Sequence, residues 1–166
     1  EENVDGTKVL DMDEGNRLRY IAECRFLRAY AYFRLVRNFG GVMIYTSAED
    51  DGTNHGEDIS AGKPRATADE VYSQIIADLT YAEANLPTTV ALAEQGRATS
   101  GAAKGLLAKT YLYQENWTAA KNKCEEIMGS GNYSLVSDYS NIFSSSQQWG
   151  SEVIWSLHMV EDLDGH

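Results

Sequence analysis

The stretch that decides the fold class is Arg17-Leu18-Arg19-Tyr20-Ile21-Ala22-Glu23-Cys24-Arg25-Phe26-Leu27-Arg28-Ala29-Tyr30-Ala31-Tyr32-Phe33-Arg34-Leu35-Val36-Arg37-Asn38-Phe39-Gly40-Gly41. Leu18, Ile21, Ala22, Phe26, Ala29, Tyr30 and Phe33 recur at three- and four-residue spacing, the period of one helix face. Arg17, Arg19, Arg25, Arg28, Arg34 and Arg37 punctuate the apolar positions. Gly40-Gly41 stops the pattern, as glycine just past a helix C-terminus does. The spacing predicts a helix over about 16–38. The apolar run Val42-Met43-Ile44-Tyr45 that follows reads as extended.

Three more helices lie downstream. Thr67-Ala68-Asp69-Glu70 has the form of a capping box, in which the Thr hydroxyl takes the N–H three residues on and the Glu reaches back. Val71, Ile75, Leu79 and Ala82 form the stripe of a helix over 68–86, which Leu86-Pro87 ends. Thr99-Ser100 opens a third, 100–114, with Ala102, Ala103, Leu106, Leu107, Thr110 and Tyr111 on its apolar face. Gln114-Glu115-Asn116 is a tight connection to a fourth, 117–128, where Trp117 is expected to pack at the helix start. Gly129-Ser130-Gly131 breaks it. Residues 46–66 are rich in Gly, Asp, Ser and Asn without periodicity and read as a loop. A compact domain seldom holds a loop this long without a purpose. The tail reads as loops with one strand-like run, Glu152 to Met159.

The third and fourth helices have the register of a tetratricopeptide unit, two antiparallel helices sharing a small-residue seam. Leu107-Ala108, Tyr111 and Ala120 fall at the expected places, with Cys124 and Ile127 at the next inward positions. Alanines at 108 and 120 let two backbones approach while Tyr111 fills the space beside them. Lys104 stands where the repeat has tryptophan, and Asn132 where it has proline. An ordinary helical hairpin is the plainer alternative. The fold expected is mainly α: one helical domain over 1–166, with tetratricopeptide-like repeats, long irregular loops and little strand.

Composition narrows the partners. The 166 residues carry a formal charge of −11, with 14 Lys and Arg against 25 Asp and Glu. A nucleic acid backbone needs clustered cations, and an anionic membrane surface needs the same. A neutral glycan or a partner protein remains compatible. Cys24 and Cys124 form no CxxC pair and read as free, buried thiols. Neither a signal peptide nor a membrane-spanning apolar run is present. The opening residues do not resemble a natural start, so the chain reads as cut from something longer.

The search for catalysis is negative. No GxSxG, GxGxxG, P-loop or HExxH occurs. His55, His158 and His166 are scattered, and His55 reads as a solvated loop residue. The acidic run Glu49-Asp50-Asp51-Gly52-Thr53-Asn54-His55-Gly56-Glu57-Asp58 offers oxygen ligands but lacks EF-hand spacing. Neither metal nor cofactor is expected. The sequons at Asn116 and Asn132 read as chance matches. Tyr30, Phe33 and Tyr111 sit on core stripes. Trp149, in the polar run Ser144-Ser145-Ser146-Gln147-Gln148-Trp149-Gly150, is the aromatic expected to be most exposed and the one weak candidate for ligand binding. A loop tryptophan capping a core is the plainer reading of it.

Several segments together carry a family resemblance. Ala22-Glu23-Cys24-Arg25-Phe26-Leu27-Arg28-Ala29-Tyr30-Ala31-Tyr32-Phe33, with Leu35-Val36-Arg37-Asn38-Phe39-Gly40-Gly41-Val42, resembles the first long helix of SusD/RagB proteins. Cys24 stands where alanine is common there, and Met43 where proline is usual. Thr67 to Leu79 with Leu86-Pro87, then Gly96-Arg97-Ala98-Thr99 with Ala102 to Tyr113, then Glu152-Val153-Ile154-Trp155, are similar to later segments of that family in the same order. The resemblance implies a SusD-like α-α superhelix. It also implies a non-catalytic surface lipoprotein of the bacterial outer membrane that binds oligosaccharide or another nutrient. A SusC-like TonB-dependent transporter would receive that ligand, and a lipid anchor outside this chain would hold the protein to the membrane. Ligand contacts in the family follow no fixed motif, so no binding residue transfers. The competing class is a helical-repeat interaction scaffold with no small ligand.

Overall fold

The computed structural model describes residues 13–46, 64–144 and 147–157. Among them are four α-helices and no β-strand. The helices are α1 (Glu14–Phe39), α2 (Ala68–Asn85), α3 (Ser100–Tyr113) and α4 (Trp117–Gly129), with short 3-10 turns at Leu92–Glu94 and Tyr139–Asn141. Each helix packs on the next in chain order, so α1–α2 and α3–α4 form two hairpins laid side by side. This is the mainly helical architecture the periodicity predicts.

Local chemistry sets the ends of α1. Asp13 accepts from the Asn16 N–H at 3.0 Å, an N-cap. The buried stripe is Ala22, Phe26, Ala29, Tyr32, Phe33 and Val36. Gly40 takes φ 69° and donates to the Val36 carbonyl at 2.9 Å. Gly41 has another reason to be glycine, because a Cβ there would collide with the Ala66 carbonyl. The chain crosses itself at this point, and the Ala66 N–H donates to Val42 O at 3.0 Å.

Val42 to Tyr45 is irregular rather than a strand. Among the described residues there is no β-ladder for its polar backbone to join. The Tyr45 N–H goes instead to the Tyr32 hydroxyl at 2.6 Å. The run from Glu152 is not a strand either through residue 157. It turns, with Val153 N–H donating to Gly150 O, and its last two predicted residues lie outside those described.

The capping box of α2 is complete. The Glu70 N–H donates to Thr67 Oγ1 at 3.3 Å, and the Thr67 N–H to Glu70 Oε2 at 2.7 Å. Val71, Ile75, Leu79 and Ala82 are fully buried against the α1 stripe. Removing the Val71, Ile75 and Leu79 side chains from water is worth about 1.5–3 kcal/mol each. Asp78 interrupts the stripe and is 1% exposed. Its carboxylate accepts from Arg28 Nε at 2.7 Å and Nη2 at 2.6 Å, a bidentate pair across the hairpin. Arg28 also donates to the Thr46 carbonyl at 2.7 Å, tying down the start of the long connection. The hydrogen bond to Asp78 raises the Arg28 pKa, so the guanidinium stays charged.

The second hairpin is lighter. Glu115, at φ 57°, turns the chain, and Asn116 caps α4 by accepting from the Ala119 N–H at 3.2 Å. Ala108, Ala120 and Ile127 are buried, as the repeat register requires, yet lie outside the main core cluster. Lys104 is exchanged for the repeat's tryptophan with effect. Its ammonium lies 3.0 Å from Glu126 of α4 and 3.8 Å from Glu83 of α2. Lys123 closes the same network at 2.9 Å from Glu83.

Two expectations of burial fail, one on α1 and α4 and the other at the start of α4. Cys24 and Cys124 are free but exposed, not buried. Trp117 is 61% exposed instead of packed. Alpha-helical period places Cys124 next to the Ala120–Ile127 stripe, but among the described helices α4 packs mainly on α3, with Lys123 reaching Glu83 of α2, so just the centre of its inner face is covered.

Candidate functional site

Two segments distant in sequence meet at one end of the hairpins. One is the connection from α2 to α3, residues 86–99; the other is the chain after α4. The connection is fixed first. Ser100 N–H donates to Pro87 O at 2.9 Å and Ser100 Oγ to Glu83 O at 3.0 Å, folding the connection back on the end of α2. Thr99 accepts from the Ala102 N–H at 3.2 Å and caps α3.

The tail is anchored by Trp155. Its ring meets Phe26 and Tyr30 edge-on, with centroids 5.0 and 5.3 Å apart. Such pairs add about 0.5–1.5 kcal/mol beyond area burial. The indole Nε1–H donates to the Gly96 carbonyl at 3.0 Å. Further back, Ser134 and Ser151 exchange two hydrogen bonds, and the Val136 N–H donates to the Glu152 carboxylate at 2.9 Å. Tyr133 lies over Gly101 at the start of α3, where any side chain would strike its phenol.

An open cleft of about 230 Å³ remains between the two segments. Thr88, Thr89 and Gln95 line one side, and Asn132, Tyr133 and Trp149 the other. Gly96 lies between, at φ 97°, and the Trp149 ring edge sits 3.4 Å from where a Cβ would be. The left-handed backbone and the ring's approach both call for glycine.

Arg97 is the one charged residue among the described residues of the lining. Its guanidinium is bound to Glu23 at 2.6 and 3.0 Å, and Glu23 also receives Arg19 at 3.2 Å. The hydrogen bond to Glu23 raises the Arg97 pKa. The charge is thereby neutralised inside a network that also holds Glu94, 2.9 Å from Arg19.

The predicted site residues are distributed as follows. Trp149 is not the most exposed aromatic as expected but half-buried in the cleft wall, whereas Phe143, Tyr139, Phe39 and Trp117 are exposed. The role of core cap falls to Trp155. Phe33 is buried, while Tyr30 and Tyr111 are half-buried, Tyr30 against Trp155 and Tyr111 against the core. The Asn116 side chain is occupied by capping. His55, the acidic run 49–58, His158 and His166 lie outside the described residues. Among the described residues, no three His, Cys, Asp or Glu side chains come together as metal ligands, and no helix is long and apolar enough to cross a membrane. Sequence reasoning missed the cleft's other members, Thr88, Thr89, Asn132 and Tyr133, which show no common period.

The comparisons bear on the whole frame. The SusD-like family described as "Starch-binding associating with outer membrane" matches residues 4–112. A SusD-like protein of Formosa agariphila is 32% identical over 164 residues, 99% of this chain and 30% of the relative. A SusD-like protein of Bacteroides fragilis superposes with TM-score 0.78 at 29% identity, over 92% of this chain and 29% of that one. A structure described as a laminarin-binding SusD-like protein gives TM-score 0.77 at 33% identity, over 87% of this chain and 32% of that one. The chain thus spans about 30% of the length of the relatives it matches.

Proposed function

The chain belongs to the SusD-like family, and on that premise we propose that it is the helical scaffold of a non-catalytic glycan-binding lipoprotein at the bacterial cell surface. The whole protein captures oligosaccharide and passes it to a SusC-like TonB-dependent transporter, while a lipid anchor holds it to the outer membrane. The observation that carries this reading is the match of the α1–α4 frame to SusD-like structures over about nine-tenths of the chain. The cleft favours binding over hydrolysis. Cleavage of a glycosidic bond ordinarily needs two carboxyl groups facing across it, and no carboxylate is among the cleft's described lining residues.

Purification of the whole protein from outer membranes in mild detergent tests the partner. A TonB-dependent transporter is expected to co-elute; recovery of the protein alone overturns that part of the reading. Incubation with oligosaccharides is expected to release no new reducing ends, and release would overturn the absence of catalysis.

One observation favours a second reading, a protein-interaction scaffold without a small ligand. Leu135, Tyr139 and Phe143 in the tail are 84%, 77% and 88% exposed. On that reading the whole protein would bind a partner protein and no saccharide.

A further inference from the structure

We propose that the cleft between the α2–α3 connection and the tail is itself a saccharide subsite, taking one end or a short stretch of a neutral glycan against Trp149. The inference rests on the glycan-binding reading above and gives it a place within this chain.

The lining divides into groups already committed and groups still open. Arg97 is held by Glu23, Trp155 by the Gly96 carbonyl, Ser151 by Ser134 and Thr99 by the α3 N-terminus. These fix the walls, so little ordering remains for a ligand to induce. Thr88, Thr89, Gln95 and Asn132 make no side-chain hydrogen bond to any described residue. Their hydroxyl and amide groups offer both donors and acceptors. Beside them stand the aromatic surfaces of Trp149 and Tyr133. A pyranose ring presents the matching set, with C–H groups on its faces and hydroxyls around its edge.

Charge and size narrow the class further. The chain carries −11, yet the cleft's one ion is neutralised within its own network. An anionic sugar would meet an acidic protein with no free cation among the wall's described residues. A cationic ligand would find no carboxylate among its described residues. A wholly apolar ligand would strip water from the open hydroxyls and amides without replacing it. At about 230 Å³ the cleft is smaller than the ~300–1,000 Å³ pockets that enclose drug-sized molecules, and it is open to solvent. Those dimensions suit a short segment of a longer chain lying across it.

Calorimetric titration of the whole protein with laminarihexaose and maltohexaose, and with an oligogalacturonate as the anionic control, tests the proposal. Wild-type protein is expected to bind a neutral hexasaccharide in preference to the anionic one. Trp149→Ala is expected to weaken that binding about tenfold, and Trp149→Phe, which keeps a ring, by about threefold or less. Asn132→Ala weakens it without touching the aromatic wall, and decides the matter if Trp149→Ala does not fold. Neutral-glycan binding that is unchanged in both Trp149→Ala and Asn132→Ala overturns the subsite and leaves the protein's glycan-binding function standing. Failure of the wild type to bind any neutral saccharide overturns both.

Discussion

The two hairpins solve the same packing problem with opposite materials. The α1–α2 pair interleaves Phe26, Phe33, Val36, Val71, Ile75 and Leu79 and holds between its helices an Arg28–Asp78 ion pair whose carboxylate is buried. The α3–α4 pair closes on alanines at 108 and 120 with Ile127 beside them, and leaves most of α4 in solvent. Bulky side chains hold helices through buried area and fill irregular space. Small ones bring backbones close and leave little room to spare. The first hairpin should therefore be most sensitive to truncation, and the second to enlargement.

That contrast can be broken by measurement. Phe26 is 1% exposed and touches both the core and Trp155, so Phe26→Ala should cost about 3–5 kcal/mol in urea unfolding. A loss no larger than that of Ile127→Val, about 0.5–1.5 kcal/mol, would erase the distinction. Arg28→Ala comes next. It leaves the Asp78 carboxylate buried without its partner, and losses of about 3–5 kcal/mol are usual for that. Arg28 is itself partly solvated, which places the expected value near the lower end. Asp78→Asn in the same background should recover part of it by removing the orphan charge. In the second hairpin, Ala108→Leu should cost about 1–3 kcal/mol through overpacking, whereas truncation has little to remove there.

The smallest expected effect concerns the charge network that stands in for the repeat's tryptophan. Hydrogen bonds from Lys104 and then Lys123 hold the Glu126 pKa below its usual 4.5. A depressed carboxyl pKa contributes stability that is present above the unfolded value and lost as pH falls through the folded one. Glu126→Gln should thus lower stability at neutral pH and converge with wild type once the pH falls below the depressed folded pKa. Glu126 is partly exposed, so the difference should be less than about 1 kcal/mol and should shrink in salt. Thermal melts at paired pH values would resolve it.

The sequence disclosed what depends on neighbours along the chain. Helical period, the Thr67–Glu70 capping box and the Gly40 stop are local, and all three are read directly from residue spacing. The alanine seam was legible because the repeat register fixes both of its sides. Exposure of Cys124 and Trp117 was not, since it depends on whether another helix covers α4. Arg28 and Asp78 are fifty residues apart, although an aspartate set inside an apolar stripe is itself a signal that a cation must reach it. The run from Glu152 looks strand-like by composition, but a strand needs an edge to pair with. The cleft draws on residues 88–97 and 132–155, whose adjacency has no periodic trace. Trp149 stood out only because it had no core stripe to belong to.

The central claim is that these hairpins frame a protein that binds neutral glycan. Titration of the whole protein with laminari- and malto-oligosaccharides, read by calorimetry and by tryptophan fluorescence, addresses it directly. Saturable binding of at least one of them is the result expected. A folded protein that binds none of them, at concentrations where a laminarin-binding relative does, would contradict it.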